Sequence, residues 1–211
     1  MVIALDSYYY DGICNTSLVL FANEKSSEPI YTDTIYTPVE SEYIPGEFYR
    51  RELPGIQKII DKFVKEHHDW WDEVKFVMVD SFVMLYDGKK QWDGLGAKLY
   101  DYLYKCYAHR KRFPEYETHR YEPIPVVGVA KTNFAECNNM ELTYFAHRGE
   151  SEHTLYVQVA APIDSEITGE YAQWFVERMH GPYHIPTMLK EVDRLSRIPK
   201  KKWHEYEYDE R

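Results

Sequence analysis

Apolar residues near the start of the chain come in short, strand-sized runs. Val2 to Asp6 closes on an acid and predicts a buried strand. Asp11-Gly12 is a turn signal, and Asn15 to Phe21 then reads as the second arm of a hairpin. Tyr31 to Thr37 alternates as a third strand, behind a polar loop from Glu24 to Pro29. Residues 38–51 read as a loop, after which the period changes. Leu53, Ile56, Ile59, Ile60, Phe63 and Val64 recur at helical spacing, with Pro54 tolerated near the start because a first-turn N–H lacks a partner anyway. Lys75 to Val79 predicts a central strand that ends at Asp80, and Leu95, Leu99, Leu103 and Cys106 form the next helical stripe. A polar excursion over 108–122 precedes a strand from Pro125 to Ala130. Strands over 140–147 and 154–161, joined through Arg148-Gly149, and helices around 168–180 and 186–197 complete the chain. Three strands followed by alternating helices and strands predict an α/β fold, a mixed sheet with helices on both faces. Strand-end acids Asp6 and Asp80 then meet if their strands are neighbours.

The 211 residues, 44% hydrophobic and 28% charged, suit one sizeable domain, taken as 1–199 with a charged C-terminal tail over 200–211. Apolar runs such as Phe76 to Val79 are too short to span a membrane, and the first residues lack a signal-peptide pattern. Cys14, Cys106 and Cys137 are too few and too scattered for a disulfide framework or a zinc cluster, so a reducing, cytoplasmic setting is expected. A net charge of -10 argues against nucleic acid as a partner. Two basic segments soften that objection: Lys105, Arg110, Lys111, Arg112 and Arg120 in the first, and Arg194, Arg197, Lys200, Lys201 and Lys202 in the second. A charge run of this kind is more often simply a solvated face, so the asymmetry permits a nucleic-acid footprint without demonstrating one.

Asp6 and Asp80, with Glu52 at the start of a helix, form a candidate carboxylate cluster. An acid at a strand end can simply be solvated or cap a turn. Several together are the donor set of magnesium, which binds a few carboxylate oxygens and keeps several waters.

Five segments, in order, resemble the endonuclease V family. Tyr43-Ile44-Pro45-Gly46 followed by Arg51-Glu52-Leu53-Pro54 is similar to its signature, including the spacing from Tyr to Glu. Asp6 in Ala4-Leu5-Asp6 and Asp80 in Val77-Met78-Val79-Asp80 resemble its two aspartates. Val127-Gly128-Val129-Ala130-Lys131 resembles its Gly-Val-Ala-Lys stretch, and Pro186-Thr187-Met188-Leu189 its last helix. The resemblance implies an RNase H-like fold and a magnesium-dependent endonuclease, manganese being an alternative. Its substrate is single-stranded or lesion-containing DNA or RNA, cut 3′ of a deaminated base, usually inosine. It further implies that Asp6, Glu52 and Asp80 hold the metal, that Lys131 contacts phosphate, that Tyr43, Ile44 and Pro45 form a wedge beside the lesion, and that Gly46 binds the nucleic acid next to them. No membrane and no obligate protein partner is implied.

The sequence departs from the family at three places. Ser81 stands where glycine follows the second aspartate, next to the base; it either narrows that pocket or offers its hydroxyl to a different base. Tyr86-Asp87-Gly88-Lys89-Lys90 replaces a His-Pro-Arg segment. Glu191 takes the position of a metal-site histidine, and reads either as a fourth ligand or as a surface acid paired with Lys190 or Arg194. A nuclease, a nucleic-acid-binding homologue that does not cut, and a protein-interaction domain therefore all remain on the table at this point.

Overall fold

The computed structural model describes residues 1–10, 12–39, 49–81, 83–86, 91–108, 124–130, 144–148, 154–160 and 185–197. Its centre is a hairpin of β1 (Val2–Tyr10) and β2 (Ile13–Phe21), turned at Gly12, whose φ of 82° suits a residue without a Cβ. β3 (Tyr31–Pro38) pairs antiparallel with the far side of β2. On its other side β1 runs parallel to β4 (Phe76–Val79), which in turn runs parallel to β7 (Val126–Ala130). β9 (Thr154–Ala160) and β8 (Tyr144–Arg148) extend the sheet antiparallel, giving the order β3-β2-β1-β4-β7-β9-β8. A small hairpin of β5 (Met84–Tyr86) and β6 (Gln91–Asp93), which the apolar pattern did not announce, follows β4.

The pleat sends alternate side chains to opposite faces, and each face is covered by a helix, as the sequence predicts. Ile3, Leu5, Val77 and Val79 meet α1 (Tyr49–Glu66) through its buried Ile56, Ile59, Ile60 and Phe63. The short α2 (His68–Asp72) and α3 (Leu95–Leu103), which continues as a π-helical turn over Tyr104–Ala108, join the same layer through Trp71, Leu99 and Leu103. Val2, Ala4, Phe76 and Met78 face the other way, against Met188, Leu189 and Val192 of α4 (Ile185–Ser196). The expected helix around 168–180 and the charged tail lie outside the described residues.

Two expectations are corrected. β1 does not stop at Asp6: every residue from Val2 to Tyr10 pairs with β2, and only the pairing with β4 ends, at Leu5 opposite Val79. α1 begins at Tyr49, inside the expected loop, so Pro54 sits in its second turn, exposed. That proline gives up an intrahelical bond, which the large buried face of the helix outweighs. The earlier start puts Glu52 in the first turn.

Candidate active site

Because β1 and β4 are parallel neighbours, the residues that follow their last paired positions come side by side. The Asp80 N–H donates to the Leu5 carbonyl at 3.3 Å, which carries the ladder up to Asp6 and Asp80. Both side chains fall on the α4 face, in line with Ala4 and Met78. From that helix Asp193 comes down between them: carboxylate oxygens of Asp6, Asp80 and Asp193 all lie within 4.8 Å of one another. Carboxylate charges at that spacing would repel by roughly 3 kcal/mol per pair at the effective dielectric near a protein surface, a repulsion that a cation among them would offset. Arg197 offsets part of the charge, its Nε 3.0 Å from Asp193 Oδ1.

Glu52 approaches from the opposite face. Part of the residue reaches the surface, but its carboxyl is pushed up to about 8, first by burial and then by the charges of Asp6 and Asp80. Desolvation thus outweighs the helix N-terminus, which favours the anion. Cys14 is buried beside this group, its thiol pushed up to about 11 by burial and by the Glu52 charge. It stays protonated and is no nucleophile at neutral pH.

The structure separates the two acids of the last helix. Glu191 is held by Arg194 in a bidentate pair, Nη2 to Oε1 at 2.6 Å and Nε to Oε2 at 3.0 Å, and that pair keeps its carboxyl below the usual range. It is Asp193 that joins Asp6 and Asp80. Leu189, Val192 and Ser196 are buried against the sheet, and Asp193 shares their face at i, i+4 and i+7 spacing. That spacing was the available signal. Tyr43, Ile44, Pro45, Gly46 and Lys131 lie outside the described residues.

Ser81 follows Asp80 into a tight crossing over β7. A Cβ built on Gly128 would stand 2.5 Å from the Ser81 carbonyl oxygen and 3.1 Å from the Val83 nitrogen. The glycine therefore lets the chain that leaves Asp80 lie against the neighbouring strand. Gly128→Ala is expected to force this backbone outward and to cost about 1–3 kcal/mol. Thermal unfolding should read that as a midpoint lower by roughly 3–10 °C; an unchanged midpoint would show that the crossing yields freely.

The donor chemistry fits a hard divalent cation. Oxygen atoms bound to one magnesium at roughly 2.1 Å stand at most about 4.2 Å apart, so the carboxylate spacing needs only small adjustments.

No protein-family model matches the sequence, and no curated protein matches it. Solved structures do. The catalytic domain of human endonuclease V superposes with a TM-score of 0.60 at 17% identity, covering 92% of this chain and 80% of that one. Endonuclease V of Ciona intestinalis, in complex with a 23mer DNA containing an inosine followed by a ribo-adenosine, gives a TM-score of 0.57 at 13% identity, covering 92% and 83%. The fold is endonuclease V-like. The RNase H-like mixed sheet flanked by helices, expected from the resemblance, is thereby established. Among the described residues no helix is long and apolar enough to cross a membrane.

Proposed function

We propose that the chain is a metal-dependent endonuclease that hydrolyses a phosphodiester of DNA or RNA on the 3′ side of a deaminated, inosine-type base. The observation that supports this reading best is the convergence of Asp6, Asp80 and Asp193 to within 4.8 Å, at the end of the two parallel strands of an endonuclease V-like fold. Those three residues, with Glu52, would hold magnesium or manganese. When bound, such an ion supplies positive charge to the phosphate and makes a bound water acidic.

The chain's own residues divide the remaining work. Asp6 and Asp80, on neighbouring strands, fix the site against the sheet, and Asp193 closes it from the helix. Glu52 keeps its carboxyl proton near neutral pH as long as no metal ion is bound among the three acids. Lys131 would stand at the phosphate, Tyr43, Ile44 and Pro45 would wedge the strand open with Gly46 binding the nucleic acid beside them, and Ser81 would face the displaced base. A lesion that pairs poorly costs less to extrude, in keeping with the inosine-containing DNA of the Ciona complex.

The test is cleavage of end-labelled single strands of DNA and RNA, each with one inosine or none, in magnesium and in manganese. A cut next to inosine in the presence of either ion is expected. A cut without inosine dependence keeps the metal site and discards the lesion. Ser81 in place of glycine favours a second reading, a nucleic-acid-binding homologue that does not cut. It predicts no cleavage together with an affinity that falls steeply with salt.

A further inference from the structure

We infer that Asn15 and Ser196 are positioning residues that lock the helix carrying Asp193 onto the strand carrying Asp6; the inference rests on the metal-site reading above. Ser196 is the last residue of α4 and fully buried, and its hydroxyl lies 2.6 Å from Asp6 Oδ2 and 3.0 Å from the Asp193 carbonyl oxygen. One hydroxyl carries one proton, and the carboxylate is the stronger acceptor, so Ser196 donates to Asp6 and fixes the plane of that carboxylate. Its own backbone carbonyl is among those a helix C-terminus leaves without an intrahelical partner. Asn15 of β2, also fully buried, donates its Nδ2 to that carbonyl.

Asn15 carries a cost that packing does not explain. Its Oδ1 is buried with no hydrogen-bond partner among the described residues, an arrangement folded proteins rarely keep. An apolar side chain of similar volume would remove that penalty but leave the helix end loose. The sheet also needs no such link: α4 is already held by Met188, Leu189 and Val192. What the two polar residues add is a fixed distance and angle between Asp193 and Asp6, 187 positions apart in the chain: the Ser196 hydroxyl stands one helical turn from Asp193 and within hydrogen-bond distance of Asp6.

The test is manganese binding to the full chain, followed by the paramagnetic resonance signal of the free ion, beside thermal unfolding. It covers the unaltered protein, Ser196→Ala, Ser196→Cys and Asn15→Leu, with Asp80→Asn defining the site. Cysteine keeps the bulk of serine with a much weaker donor. Loss of a partner that orients a metal ligand weakens affinity by roughly 10- to 100-fold, and that loss is expected for all three variants, with Ser196→Cys unfolding within a few degrees of the unaltered protein. Affinities equal to that of the unaltered protein would overturn the inference, and so would a loss that merely tracks the unfolding midpoint from variant to variant. Failure of the unaltered protein itself to bind manganese would instead overturn the metal-site reading, and this inference with it.

Discussion

Asp80→Asn is expected to reduce metal-stimulated cleavage by about a thousandfold, while the protein stays folded and, without metal, becomes no less stable. The size follows from what the acid does. A cation at the scissile phosphate is worth several kcal/mol of transition-state stabilisation, and about 4 kcal/mol corresponds to three powers of ten in rate. Asparagine keeps the shape of Asp80 but removes one of the three charges that converge within 4.8 Å. The same removal relieves repulsion in the metal-free state, so the unfolding midpoint should hold or rise. Single-turnover cleavage and thermal unfolding on one preparation read both effects. A variant that still cuts at the original rate would place the chemistry elsewhere. A variant that unfolds would make Asp80 a structural residue.

The second large effect is a fall in metal-free stability between pH 4.5 and about 8, governed by Glu52. In the folded chain its carboxyl is pushed up from the ordinary 4.5 to about 8 by burial and by Asp6 and Asp80. Within that window the folded protein keeps a proton that the unfolded chain has released, so raising the pH favours unfolding. The stabilising contribution of the protonated form is full below about 4.5 and is lost as pH passes 8. Glu191, whose carboxyl is lowered by Arg194, acts only at the acid end, where its contribution is lost as pH falls. Glu52→Gln removes the charge to be buried. With each pH unit worth about 1.4 kcal/mol, the gain at pH 8 is on the order of 4 kcal/mol. For a chain of this length that is a midpoint higher by about 8–15 °C. Magnesium should flatten the profile of the unaltered protein, since a cation among the acids favours the ionised carboxyl. A profile that stays steep in Glu52→Gln would assign the pH dependence to another group.

Much of this arrangement was legible in the amino-acid order. The apolar runs that end at Asp6 and Asp80 mark two buried strands, but their adjacency was an assumption in the sequence and is supplied by the sheet order, which sets β4 parallel beside β1. The helical spacing of Ile56, Ile59, Ile60 and Phe63 was equally plain, because a long amphipathic period leaves little choice of face. The full length of β1 was not. Tyr8, Tyr9 and Tyr10 break the apolar run and, among the described strands, pair with β2, a contact no local pattern displays.

The last helix shows the same limit at the site. An acid on the flank of an apolar stripe meets either water or a neighbouring element, and sequence spacing does not say which. Glu191 found Arg194 within its own helix, whereas Asp193 stands in the row of Leu189 and Ser196 that the sheet covers. The difference rests on which strand lies beneath, and that is a long-range fact. Ser196 and Asn15 belong to the same class: a buried serine and asparagine are ordinary until the carboxylate beside them is known.

The most direct measurement is diffraction from crystals grown or soaked in manganese, recorded where that ion scatters anomalously. One anomalous peak in contact with the carboxylates of Asp6, Asp80 and Asp193 is expected. Ordered carboxylates with no peak between them, or a peak held by other residues, would contradict the metal-site reading.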